Sequence, residues 1–194
     1  MTRSAFAIVL AVLVGLVGGV QAQTHAHLTP ASGVPHGVPR ICNDVDVTSV
    51  ASGAWSYGST WSTGKVPAAG DAVLVSAGTR VAYDVVSNAA VRCVDVEGVL
   101  AFRTDRPTRI RVGTMTVLET GRLEVGTVDS PVAADVTAEI VILDQPVDTI
   151  RDPEQLTGGI VGLGAVRMHG ALKTPTFSRV VTEPLAGQTA LRLD

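Results

Sequence analysis

The amino-acid sequence predicts an all-β fold, a β-solenoid in which parallel strands stack on one another. A glycine stands two residues before a leucine at Gly98, Gly121 and Gly170, and the two gaps are 23 and 49 residues, so the second is close to twice the first. Apolar and polar residues alternate within these repeats, as in strands with one buried face. A short repeat with this alternation is typical of a stacked β-architecture, here with one degenerate repeat.

Composition favours the same architecture. Aromatic residues make up only 4% of the chain, whereas valine, alanine, leucine and isoleucine dominate and glycine occurs 20 times. β-Branched residues pack well in narrow layers of strands, and glycine permits tight corners between them. The formal net charge of −3 provides no global basic field, so we expect no nucleic-acid partner.

Residues 1–22 have the pattern of a secretory signal peptide. One cation, Arg3, precedes an apolar run over 5–20, and small residues follow up to Ala22. The run is short for a bilayer span, so we expect cleavage after Ala22 rather than a retained anchor. The mature protein would be secreted or extracytoplasmic, with no membrane contact, a flexible N-terminal segment over 23–44 and one domain over 45–194.

The chain has two cysteines, Cys42 and Cys93, which would meet an oxidising compartment after export. We expect a disulfide that ties the N-terminal segment to an early strand; two separately buried or free thiols are the alternative. Two cysteines this far apart in the sequence do not make a metal site. We predict no metal and no other cofactor.

The alternation also assigns residues to the core. Over 94–103, we expect Val94, Val96, Leu100 and Phe102 to face inward. Residues 127–157 interrupt the repeat as a polar excursion around one clear strand, 138–143, and the repeat resumes over 158–174 with Val166 and Met168 inward.

Three aromatic residues, Trp55, Tyr57 and Trp61, lie in a turn-rich stretch near the first predicted strands. They can close the N-terminal end of the stacked strands, as terminal repeats must, or form a platform on which sugar rings stack. The closing role is favoured, because an uncovered end would expose apolar layers.

With these motifs in view, the sequence resembles the G-eight domain family, named for its eight glycines. The resemblance rests on Trp61, Gly64 and Val66-Pro67, on 70–73 and 94–100, and on Met168-His169-Gly170, and it covers roughly Val45 to Val181. The candidates for the eight glycines are Gly64, Gly70, Gly78, Gly98, Gly121, Gly126, Gly164 and Gly170.

The resemblance implies an extracellular domain found in fibrocystin-like and hyaluronidase-like proteins. In such enzymes the domain looks like the first coils of a right-handed β-helix, so we expect a single right-handed β-helix domain after the signal peptide. The sequence departs from that pattern by ending soon after 168–170. We therefore carry over no catalytic residue.

Five arginines form the basic cluster of the mature chain, with one histidine in a later repeat. Outward arginines on stacked strands, about 4.8 Å apart, could grip the carboxylates of a uronic-acid polysaccharide. The alternative is a solvated face partly neutralised by Asp105 and Glu124. The candidate ligand-binding residues are Arg103, Arg106, Arg109, Arg111, Arg122 and His169.

Catalysis is the weaker prediction. Acidic residues at Asp84, Asp95, Glu97 and Asp105 could supply a glycosidase pair, but outward acidic residues are common in strands. No Gly-x-Ser-x-Gly motif is present.

The leading hypothesis is a secreted, non-catalytic module that binds an extracellular polysaccharide, such as hyaluronan, or a protein partner. The alternative is the N-terminal fragment of a polysaccharide-degrading enzyme. A third interpretation, a piece of a longer β-helix protein, predicts self-association through an open C-terminal edge.

Overall fold

The computed structural model describes residues 40–150, 152–172 and 177–193. The predicted signal peptide and residues 23–39 lie outside the described residues, as do Lys173 and Thr174 of the last predicted repeat. In chain order, the strands of the described residues are β1 (Val47–Thr48), β2 (Gly53–Ala54), β3 (Ala72–Val75), β4 (Arg80–Tyr83), β5 (Val86–Val96), β6 (Val99–Phe102), β7 (Thr108–Val117), β8 (Arg122–Val125), β9 (Ala138–Ile142), β10 (Ile160–Gly162) and β11 (Ala165–Met168). A 3-10 turn, Gly58–Thr60, follows β2.

The strands form two parallel sheets. The first sheet has the order β1-β3-β5-β7-β10, with β9 also paired to β7, and the second has the order β11-β8-β6-β4-β2. From β1 to β8, successive strands alternate between the sheets, which bury their facing apolar residues in one core.

The prediction of a right-handed β-helix is wrong, although the all-β class is correct. The two sheets are open and pack face to face in a sandwich-like arrangement instead of closing into a solenoid. In addition, β7 pairs with β9 along its first half and with β10 along its second, so no regular coil follows it. The spacing of the repeats indicates which strand stacks on which. It does not determine how the two resulting sheets pack against each other.

The core is built from rows of residues in register. Val73, Val94 and Met115 are aligned in the first sheet, and Val81, Leu100 and Leu123 in the second, all fully buried. The four residues predicted to face inward in 94–103 are likewise buried. Alternation therefore located the buried face of these strands correctly.

The third predicted repeat is displaced. Val166, not Leu172, pairs with Leu123, and Leu172 is 84% exposed. The repeat therefore begins at Gly164, because at Gly98, Gly121 and Gly164 alike a Cβ atom would overlap the backbone carbonyl oxygen of a neighbouring segment. Val166 and Met168, which were predicted to face inward, are half-exposed, since β11 is the last strand of its sheet in the described part of the chain.

Aromatic rings fill the core near β1 and β2. Trp55 contacts Trp61 at 4.7 Å and Tyr83 at 4.9 Å between ring centroids, and Tyr83 stacks on Phe102. Both tryptophans are buried, and the indole N–H of Trp61 donates to the carbonyl of Trp55. Their burial excludes a sugar-stacking role for them, whereas Tyr57 is exposed.

The predicted disulfide between Cys42 and Cys93 is confirmed. Cys42 is buried with Ala72 and Cys93 on the outer face of the first sheet, and the bond holds the segment 40–44 against β5. This segment and residues 143–150 and 152–158 cover part of that outer face, which alternation alone would leave to solvent.

Candidate functional site

The predicted arginine cluster is divided between the two sheets. Arg103 and Arg122 belong to the second sheet, directly after β6 and in β8, whereas Arg109 and Arg111 lie in β7 of the first sheet. Arg106 lies in the turn between them. The structure therefore does not form one continuous ladder of guanidinium groups.

Most of these arginines face carboxylates of the same chain. Arg103 donates from Nε to Asp105 at 2.8 Å, Arg109 donates to Glu139 at 2.5 Å, and Arg122 lies 3.6 Å from Glu124. The bond from Arg103 holds the pKa of Asp105 well below its usual range. These three arginines are thus held by acidic neighbours, two of which, Asp105 and Glu124, are the ones named in the alternative of a partly neutralised face.

The two remaining arginines have weaker contacts. Arg106 lies 3.6 Å from Asp105, and Arg111 donates to the backbone carbonyl of Asn88 at 3.2 Å. His169 follows β11, where its backbone N–H donates to Val125 and its carbonyl accepts from Val132. The residue is half-buried, and its backbone carbonyl lies against Gly126.

A groove of about 410 Å³ crosses the outer face of the second sheet. Ala82 and Ala101, paired in register on β4 and β6, form part of its lining together with the guanidinium-bearing Arg80 and Arg103. The hydroxyls of Thr104 and Ser130, 3.3 Å apart, lie on its loop side. We call this the outer groove; its other lining residues are Phe102, Asp105, Glu124, Gly126 and Thr127.

Glu124 is the buried charge of the outer groove. It follows Ala82 and Ala101 in the same row across the sheet, but its carboxylate accepts from Arg80 at 2.8 Å and lies near Arg122. The residue is only 6% exposed. A buried carboxylate requires such partners because desolvation alone would disfavour its charge.

Sequence reasoning missed Arg80 and gave Glu124 only a neutralising role. A signal for Arg80 was present, because Arg80 precedes Val81 as Arg122 precedes Leu123, and both arginines occupy one row of the sheet. The burial of Glu124 had no sequence signal. It depends on an arginine that is 44 residues away in the chain.

A smaller cavity of about 160 Å³ lies on the outer face of the first sheet, between residues 40–44 and the excursion. Its lining includes Arg40, Arg92, Thr114, Gln145 and Asp152. Burial would raise the pKa of Asp152, but hydrogen bonds from Leu156 and Thr157 hold it below its ordinary value. That carboxylate therefore holds residues 152–157 in place.

Asp95 lies under the same N-terminal segment and is 1% exposed. Burial raises its pKa to about 6, against the lowering effect of Arg40, whose Nε is 3.5 Å away. A raised pKa is a property of many catalytic acids, but here the carboxyl lies beneath a covering segment. Among the described residues, no three His, Cys, Asp or Glu side chains are grouped to hold a metal ion.

The two sheets, the disulfide and the charged groove define a disulfide-linked, all-β domain of the kind made for an oxidising environment. The model of the G8 domain matches residues 60–181, and the chain belongs to the G8 domain family, as the eight-glycine motifs predicted. Domains of this family occur in extracellular proteins. Comparison with curated proteins found no match, and comparison with solved structures found none either. Within the described part of the chain, no helix has the length and apolar character needed to cross a membrane.

Proposed function

We propose that this extracellular domain is a secreted, non-catalytic module that binds an acidic polysaccharide, such as hyaluronan, in the outer groove. The observation that supports the proposal is the position of Arg80 and Arg103, which line a groove that also has Ala82 and Ala101 in its lining. Their side chains are about half exposed, so their remaining N–H groups can reach a ligand.

The chemistry of the lining suits a uronic-acid chain. A guanidinium group can bind a carboxylate through two parallel hydrogen bonds, and the small alanine side chains allow close approach of a sugar ring. The hydroxyls of Thr104 and Ser130 can exchange hydrogen bonds with sugar hydroxyls. Because these interactions involve exposed charges, binding should weaken as salt is added.

The test is retention of the full chain on immobilised hyaluronan at low salt. Arg80→Ala combined with Arg103→Ala removes the two guanidinium groups of the groove lining, and we expect affinity to fall by about tenfold or more. The matched control is Arg111→Ala with Arg192→Ala, which removes the same charge outside the groove lining. Equal losses of affinity in both variants would show that only the total charge of the protein matters, and would contradict the proposal.

The same experiment separates binding from cleavage. A binding module leaves the size of the recovered hyaluronan unchanged, whereas a polysaccharide-degrading enzyme shortens it. If the purified protein shortens the hyaluronan chains, the binding proposal is contradicted and the enzymatic alternative is supported.

Self-association is a second candidate function, supported by the exposed C-terminal edge. We propose that β11, the last strand of its sheet among the described residues, pairs with a second copy of the chain, since a strand edge left open is a template for such contacts. Leu172 and Phe177, which follow β11 in the sequence, are 84% and 79% exposed. Sedimentation at rising concentration should show a dimer that Leu172→Ser with Phe177→Ser weakens; a monomer throughout would contradict it.

A further inference from the structure

We propose that Glu124 is an internal competitor for the ligand of the outer groove. Its carboxylate accepts from Arg80 in the groove lining and lies 3.6 Å from Arg122, which is outside that lining. An anionic group of the ligand, a carboxylate or a sulfate, would bind these arginines in its place. The inference rests on the proposed function, because it names the part of the groove that recognises the anionic group.

The geometry of the pair is that of a bound anion. One oxygen of Glu124 accepts from Arg80 at 2.8 Å, and the other lies 3.6 Å from Arg122. The two arginines come from β4 and β8, on either side of β6, so a single carboxylate joins two cations across the sheet. A ligand carboxylate or sulfate binds a pair of arginines in the same way.

The side chain of Glu124 is much more buried than those of the two arginines that hold it. The Glu124 side chain is 8% exposed, whereas those of Arg80 and Arg122 are 56% and 45% exposed. Each guanidinium has five N–H donors, so donors not used by Glu124 remain at the surface. The arginines are therefore accessible to an incoming anion while Glu124 reduces the positive charge that the anion meets.

The neighbouring strands indicate that packing does not require an acidic residue at this position. The same row of the sheet has Ala82 and Ala101 on β4 and β6, and Arg167 on β11. A charge placed between Ala101 and Arg167 in its row, and held by Arg80 and Arg122, sets the preference of the groove for anions. We therefore infer that Glu124 limits affinity and restricts binding to ligands whose anionic groups can displace it.

The experiment is calorimetric titration of the full chain at pH 7 with hyaluronan fragments, which have carboxylates, and in a parallel arm with heparin fragments, which add sulfates. Glu124→Gln keeps the size of the side chain and removes its charge, and we expect affinity to rise by about tenfold with a steeper dependence on salt. The arm with the larger gain identifies the anionic group. Glu154→Gln, with the same charge change on the exposed excursion, is the control and should alter affinity by less than about twofold.

A second variant covers a failure of Glu124→Gln to fold. Glu124→Ala repeats the residue found at Ala82 and Ala101 in the same row and removes the same charge. If the wild type binds but neither Glu124 variant binds more tightly than Glu154→Gln, the competitor role is overturned and the proposed function stands. If the wild type and all variants fail to bind both polysaccharides, the proposed function and this inference are both overturned.

Discussion

The guanidinium group of Arg40 lies against the buried carboxylate of Asp95, with its Nε 3.5 Å from Oδ2, and also donates to Glu97 at 3.2 Å. Arg40 thus interacts with two carboxylates, one in β5 and one in the turn that follows β5. The neighbouring disulfide of Cys42 holds the same segment on the sheet. This arrangement makes the stability of the domain depend on pH.

Replacement of Asp95 by asparagine should remove a pH-dependent part of the stability. The pKa of Asp95 is raised to about 6, mainly by burial, so the folded protein binds this proton more tightly than the unfolded chain. The favourable contribution is therefore complete below pH of about 4 and is lost as pH rises through about 6. Relative to Asp95→Asn, the wild type should lose about 3 kcal/mol between these limits.

Urea denaturation of both proteins at several pH values between 4 and 7.5 measures this difference directly. The comparison cancels groups that titrate alike in both proteins. A stability difference that stays constant with pH, or one that favours the wild type more as pH rises, would contradict the burial of Asp95 as the dominant effect.

The glycines of the family motif should differ in their tolerance of substitution. A Cβ atom at Gly121 would overlap the carbonyl oxygen of Val96, which is backbone and cannot move aside, whereas Gly170 has no such neighbour within 4 Å. We expect Gly121→Ala to cost about 2 kcal/mol or more of unfolding free energy. Gly170→Ala, the matched control, should stay within about 0.5 kcal/mol. Equal thermal shifts for the two variants would show that the repeat does not begin where the register places it.

Loss of the disulfide should destabilise the domain and uncover Asp95. The two cysteines are 51 residues apart in sequence, and removal of a cross-link of this length costs about 2 to 4 kcal/mol through the greater freedom of the unfolded chain. Cys42→Ala with Cys93→Ala should show this loss in chemical denaturation. It should also show a smaller pH effect, because residues 40–44 are no longer tied over Asp95.

A reducing agent provides the control for this prediction. It should lower the stability of the wild type toward that of the double variant and leave the double variant unchanged. A wild type whose stability is insensitive to complete reduction would contradict a stabilising role for the bond.

The local features of the fold could be predicted because they depend on neighbouring residues in the chain. Alternation identified the buried side chains of Val94 and Leu100, and the spacing of Gly98 and Gly121 predicted that Leu100 stacks on Leu123. The family motif could also be predicted, because all of its candidate glycines except Gly170 have a positive φ or a backbone neighbour that leaves no room for a Cβ atom. The division of the arginine cluster between the two sheets could not be predicted, because it depends on the sheet to which each strand belongs.

By itself, the sequence determined the all-β class, the buried faces of the central strands, the pairing of Cys42 with Cys93 and membership of the G8 domain family. Only the tertiary structure decided that two open sheets pack face to face, that the last repeat begins at Gly164, and that Glu124 is buried between Arg80 and Arg122. The physical reason is the separation along the chain over which each kind of interaction acts. Alternation and turn chemistry act between residues a few positions apart, whereas packing of the sheets and burial of charge arise between residues that only the folded chain brings together.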